Sequence, residues 1–220
     1  MTIDRKYWRA IAVIFATFIA PAPAVFAQGS GAQAVGGSSV PPELPNWIRR
    51  GLPGAGHAAV APLVGTWRVQ MGIYGTLGRR DDEPPITSDD IIARREWVAG
   101  GRYLEDTTEG TLEGSRYWRR GWLGYSNMDR CYEWVTIDGV NSEMMSYASK
   151  KGSGPVTTIS LNGVFTDQGV AGEAYAGKAI RMRTLIRIES NDRHTIELYF
   201  TRPGDKERLA TRAVYTRAAP

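Results

Sequence analysis

The sequence predicts an all-β protein: a single antiparallel up-and-down barrel of about eight to ten strands, preceded by an export signal and a flexible leader. Three observations carry this. Apolar residues recur with period two, the strand period; Gly, Asp or Pro punctuates nearly every run; and the runs are joined by short connections. Short connections suit antiparallel neighbours, because parallel strands need long crossovers. Closing the sheet pairs both edge strands and leaves no exposed ladder. A flat sandwich is the alternative fold.

Residues 1–27, MTIDRKYWRAIAVIFATFIAPAPAVFA, have a basic head (Arg5, Lys6, Arg9), an apolar stretch from Ala10 to Ile19 and a Pro- and Ala-rich exit. These are the parts of a secretory signal peptide. Val25 and Ala27 occupy the small-residue positions, so cleavage after Ala27 leaves Gln28 as the mature start; Ala22 and Ala24 offer an earlier cut. Pro21 and Pro23 interrupt the apolar run well before the roughly 20 residues that a permanent span requires. The expected location is outside the cytoplasm, the periplasm where the host has two membranes.

Removing residues 1–27 takes away Arg5, Lys6, Arg9 and Asp4. It leaves 24 basic and 22 acidic side chains in place of 27 and 23, a net charge of +2 rather than +4. The remaining Arg residues alternate with other types and form no basic stripe, which argues against nucleic-acid binding. Residues 28–57 are rich in Gly, Ser and Pro at their start and read as a leader, with Trp47 and Ile48 tucking against the domain. The barrel domain is expected over 58–220.

Within it, Trp67, Val69, Met71 and Ile73 share one strand face. Ile180, Met182, Thr184, Ile186 and Ile188 oppose Arg181, Arg183, Leu185 and Arg187. Further strand runs fall at 91–98, 102–109, 116–123, 131–137, 142–149, 156–165, 194–201 and 208–216.

Several of these runs also carry a resemblance. Ala61-Pro62-Leu63-Val64-Gly65-Thr66-Trp67 contains a Gly-x-Trp opening. After it come Ile92-Ala93-Arg94-Arg95-Glu96, Gly100-Gly101-Arg102-Tyr103-Leu104-Glu105, Leu123-Gly124-Tyr125-Ser126, Tyr132-Glu133-Trp134-Val135-Thr136-Ile137-Asp138, Leu161-Asn162-Gly163 and Val214-Tyr215-Thr216-Arg217. In this order the series resembles the bacterial family known as domain of unknown function 1579, over about residues 58–217. The resemblance implies a lipocalin-like, calycin-type barrel and assigns no reaction. Tyr125-Ser126 stands where the family usually has Tyr-Asp, so no acidic role is carried to position 126. In lipocalin-like barrels an early Trp closes one end beneath a late-strand Arg. The resemblance therefore assigns Gly65, Trp67 and Arg217 a structural role, with Arg212 as the second candidate for the Arg.

Chemistry is sparse. Cys131 is the single cysteine, which excludes an intramolecular disulfide and a multi-cysteine metal site; it reads as a small buried residue. Two histidines, His57 and His194, cannot supply a three-histidine zinc site, and no metal is expected. His194 shares parity with Ile196, Leu198 and Phe200, and so points into the barrel. A related class of small barrels holds haem through one late-strand His, which makes haem at His194 the cofactor alternative to none.

Glu105 shares a face with Tyr103 and Thr107, Asp106 with Leu104 and Thr108; sequence leaves open which face is inside. Trp134, Tyr147, Met145 and Tyr103 are the candidate ligand-binding residues, each with a large apolar body and most with a polar tip. His194, Tyr147 and Glu105 are the candidate catalytic groups. The loop Arg79–Pro85 is polar and placed to cover a barrel mouth.

Three functions follow as expectations. The first is an exported carrier of a small, partly apolar molecule. The second is a cofactor-independent lyase, isomerase or hydrolase acting in the same cavity. The third is an envelope interaction module using the outer face or Trp47.

Overall fold

The computed structural model describes residues 44–75, 77–78 and 84–219. The expected signal peptide, the leader as far as residue 43 and the 79–83 part of the polar loop lie outside the described residues. Two short helices, α1 (Asn46–Arg50) and α2 (Ala55–Val60), and a 3-10 turn (Ala61–Leu63) precede ten strands. These are β1 (Gly65–Ile73), β2 (Ile86–Val98), β3 (Tyr103–Leu112), β4 (Ser115–Ser126), β5 (Cys131–Asp138), β6 (Met145–Ala148), β7 (Thr158–Thr166), β8 (Ala179–Ile188), β9 (Arg193–Thr201) and β10 (Arg208–Arg217). Each strand pairs antiparallel with the next, and β1 pairs with β10, so the sheet closes on itself.

Period-two sequence becomes an inside and an outside. On β1, Trp67, Val69 and Met71 are buried while Arg68 and Gln70 are exposed. On β8, Ile180, Met182, Thr184 and Ile186 are buried. Inward side chains from all ten strands form one apolar interior, which includes Trp67, Ile91 and Leu104 of β1–β3 and Ile159, Leu161 and Phe165 of β7.

The strands differ in detail from the sequence runs. β2 starts five residues earlier than the apolar run at 91, because Ile86–Asp90 extend the ladder alongside β1 after a register shift between Val69 and Met71. β6 is only four residues long, and only Tyr147 and Ala148 pair with β7.

Part of the segment assigned to a flexible leader is ordered against one end of the barrel. Asn127 donates from its side-chain amide to the carbonyls of Arg50 and Leu52, both at 2.8 Å, and the Tyr132 hydroxyl donates to Gly56 at 3.1 Å. His57 is buried beside Trp97 and Tyr125, its Nδ1 accepting the Gly54 N–H at 3.0 Å. Burial lowers its pKa, the Arg102 backbone opposing that shift. No helix among the described residues is long and apolar enough to cross a membrane.

Candidate functional site

One barrel end is shut by a tryptophan. The Trp67 indole is fully buried, donates from Nε1 to the Leu63 carbonyl at 2.9 Å, and lies under the Arg217 guanidinium, whose carbon is 4.3 Å from the ring centre. Arg217 donates to the carbonyls of Val64 and Pro62, each at 2.9 Å, and to Asn191 and the Asp192 carboxylate. Gly65 allows this approach: its φ is +122°, and a Cβ there would lie 2.5 Å from Arg217 Nη1. Arg212, the other candidate, instead faces outward toward Glu197.

Beneath Trp67 lies a polar layer. His194 is fully buried, stacked on Tyr215 at 4.3 Å between centroids and edge-on to Trp67 at 4.3 Å. Arg95 Nη1 meets His194 Nε2 at 2.5 Å. A guanidinium can only donate, so Nε2 accepts, the ring is neutral and its proton sits on Nδ1. That Nδ1 has no hydrogen-bond partner among the described residues. Burial, with Arg95 and Arg217 nearby, pushes the His194 pKa down to about 2. Arg95 also reaches Asp106 at 3.4 Å, and Thr108 donates to the same carboxylate at 3.0 Å.

These contacts test haem at His194, and the residues do not fit it. The nitrogen that would have to ligate iron accepts from Arg95, and both the face and the edge of the ring are covered by aromatic side chains.

Deeper in the lumen, β4 contributes Tyr117 and Arg119, and β5 and β6 contribute Trp134, Tyr147 and Met145. The Arg119 guanidinium carbon lies 4.6 Å from the Trp134 ring centre. Trp134 and Tyr147 pack at 5.8 Å, and the Tyr147 hydroxyl reaches the Met145 sulfur at 3.4 Å. The Trp134 indole rests over Gly121, where a Cβ would come within 2.9 Å of Nε1 and 2.7 Å of the Val135 carbonyl.

Trp134 Nε1 and the Thr184 hydroxyl join His194 Nδ1 as buried polar atoms with no partner among the described residues. Arg119, half-buried, makes no hydrogen bond or ion pair with a described residue. Burial works against its charge, yet its pKa is raised by Tyr147, Tyr117, Tyr215 and Asp106, of which Asp106 alone is an anion at neutral pH. Burial pushes the Tyr117 pKa up to about 12, with Arg119 pulling the other way. Tyr117 and Arg119 are wrapped by the barrel wall, yet each keeps part of its surface accessible.

The structure thus brings Trp134, Tyr147, Met145 and His194 inside. It places two other candidates outside. Tyr103 is half exposed and lines an open external groove of about 440 Å³ with Trp47, Arg102 and Tyr125. Glu105 also projects outward, ion-paired to Arg120 at 2.9 Å. The inward carboxylate on β3 is Asp106, because Arg95 lies directly opposite it in the β2 register.

Sequence reasoning missed Arg119 and Tyr117. Their signal was parity with Gly121 and Leu123, which register places opposite Asp106 and Leu104. Among the described residues one trio, Asp129, Cys131 and Glu133, brings potential metal ligands within 4.8 Å of one another, but Lys151 already pairs with Asp129 at 3.1 Å.

A closed ten-stranded antiparallel barrel with one plugged end defines the class: a barrel of the lipocalin-like, calycin type. Residues 52–217 match the family described as protein of unknown function (DUF1579), and the chain belongs to that family. No curated protein matches the sequence. Among solved structures it is similar to Rv2717c from M. tuberculosis, with 20% identity, a TM-score of 0.49, and 76% of this chain and 99% of that one covered. It is also similar to a complex of EF1p2_mFAP2b with DFHBI (11% identity, TM-score 0.39, 74% and 99% covered) and to a redesigned β-barrel, b11L5F_LGL (10%, 0.39, 73% and 96%).

Proposed function

We propose that this is an exported protein that binds and carries a small, partly apolar molecule in the barrel lumen. One observation carries the reading: three buried polar atoms, Trp134 Nε1, Thr184 Oγ1 and His194 Nδ1, project from inward-facing positions with no protein partner among the described residues. Buried polar groups are ordinarily paired, and leaving one unpaired costs about 1–3 kcal/mol. A largely apolar wall with a small number of placed polar groups is how a small-molecule site combines affinity with orientation. A bound molecule supplies the missing partners.

The catalytic alternative has less support. His194, with a pKa near 2, is too weak a base for proton transfer at neutral pH, and Glu105 lies outside the lumen. Tyr147 is the remaining candidate catalytic group, and it faces inward beside Trp134.

Native mass spectrometry of the protein purified from its own compartment, compared with the denatured mass, tests the proposal. The expected result is a reproducible excess mass lost on denaturation and a polypeptide beginning at Gln28. A native mass equal to the polypeptide alone, with no binding in a broad ligand screen, overturns the carrier reading. An intact residue 1–27 segment overturns export.

A further inference from the structure

We infer that the lumen selects a carboxylate, held by the Arg119 guanidinium; this rests on the lumen-binding reading and names the class of molecule it takes. The lumen's other charges are already committed. Asp106 accepts from Arg95 and Thr108, and Arg95 donates to His194 as well. Asp138, opposite Arg119 in the β4–β5 register, turns its carboxylate to the N–H groups of Val140 and Asn141 at 2.8 and 2.7 Å. Arg119 alone has no acceptor among the described residues.

The guanidinium covers the Trp134 ring through its carbon at 4.6 Å, the arrangement in which a planar cation rests on an aromatic face while its N–H edge stays available. That edge is a fork whose spacing matches the two oxygens of a carboxylate. The buried, unpartnered Trp134 Nε1 is a further donor on the same aromatic group. Tyr117 and Tyr147 bring hydroxyls into the electrostatic reach of Arg119, while Met145, Met182, Phe165 and Phe200 line apolar wall. The ligand is therefore an amphipathic acid: an oxyanion at Arg119 with an aliphatic or aromatic body in the lumen.

Isothermal titration of the purified chain with two matched pairs tests this: octanoate against 1-octanol, and 2-naphthoate against 2-naphthylmethanol. The expected result is that at least one acid binds about tenfold or more tighter than its alcohol. Arg119→Gln then removes that preference, bringing each acid to within about threefold of its own alcohol. Arg119→Lys keeps part of it, because the charge remains without the fork. Acids that bind no tighter than their alcohols overturn the inference and leave the lumen-binding reading standing, as does an acid preference that survives Arg119→Gln. Failure of all four probes to bind overturns the inference and leaves the carrier reading to the native mass measurement and the broad ligand screen. The comparison on the unmodified chain decides the matter even if the variants do not fold.

Discussion

Two arginines lie on two tryptophans in this barrel, and they are opposites. Arg217 covers Trp67 at 4.3 Å and donates to three backbone carbonyls and a carboxylate. Arg119 covers Trp134 at 4.6 Å and donates to no described residue. The first guanidinium ties the 3-10 turn, the start of β1 and the loop before β9 to the end of β10. The second sits where the fold gives it nothing to hold. A side chain whose every nitrogen donates to the fold belongs to the architecture; one with no acceptor in the fold is free to serve something the architecture encloses.

The largest effect should come from the satisfied arginine. Arg217→Met keeps apolar cover over Trp67 but strands several carbonyls, and is expected to cost about 2–4 kcal/mol, read as a lower urea midpoint at unchanged slope. Next is Gly65→Ala, which meets both an unfavourable φ of +122° and a 2.5 Å contact with Arg217 Nη1. It is expected to cost about 1–3 kcal/mol by the same measurement. A cost near zero would mean that Arg217 can move away from Trp67 freely.

His194 supplies a pH-dependent test. Its folded pKa, near 2, lies below the ordinary value of 6.5, so between these pH values the unfolded chain binds the extra proton. Stability is then complete above about pH 6.5 and falls as the pH drops toward 2, by at most about 1.4 kcal/mol per pH unit. His57, also lowered, acts in the same direction. Unfolding midpoints between pH 7 and 4.5 should show this slope, and His194→Gln should flatten it.

The closed end was readable through the family resemblance, which named Gly65, Trp67 and Arg217, although the contact is long-range: Trp67 and Arg217 are direct partners across β1 and β10, 150 residues apart in sequence. His194 also points inward, where its parity with Ile196 and Phe200 places it. The lumen's charge was not readable for a physical reason. β4 carries Tyr117 and Arg119 on one face and Trp118 and Arg120 on the other, so composition does not tell inside from outside. Only pairing with Asp106 and Thr108 on β3 resolves it. The same ambiguity hid Asp106 behind Glu105. Helices α1 and α2 escaped notice because they are short and Gly-flanked, held by contacts to distant residues such as Asn127 and Tyr132 rather than by amphipathic periodicity.

The smallest expected change in stability is also the most direct test of the contrast. Arg119→Met keeps the volume over Trp134 and removes an unpaired charge, a replacement that is neutral or stabilising by about 1–2 kcal/mol when no partner is lost. Urea unfolding of the ligand-free chain, with Arg119→Met beside Arg217→Met, is the measurement to make. The account predicts a midpoint at or above that of the unmodified chain for the first and well below it for the second. Equal destabilisation by the two would show that Arg119 serves the fold as Arg217 does, and would contradict the assignment of the lumen to a ligand.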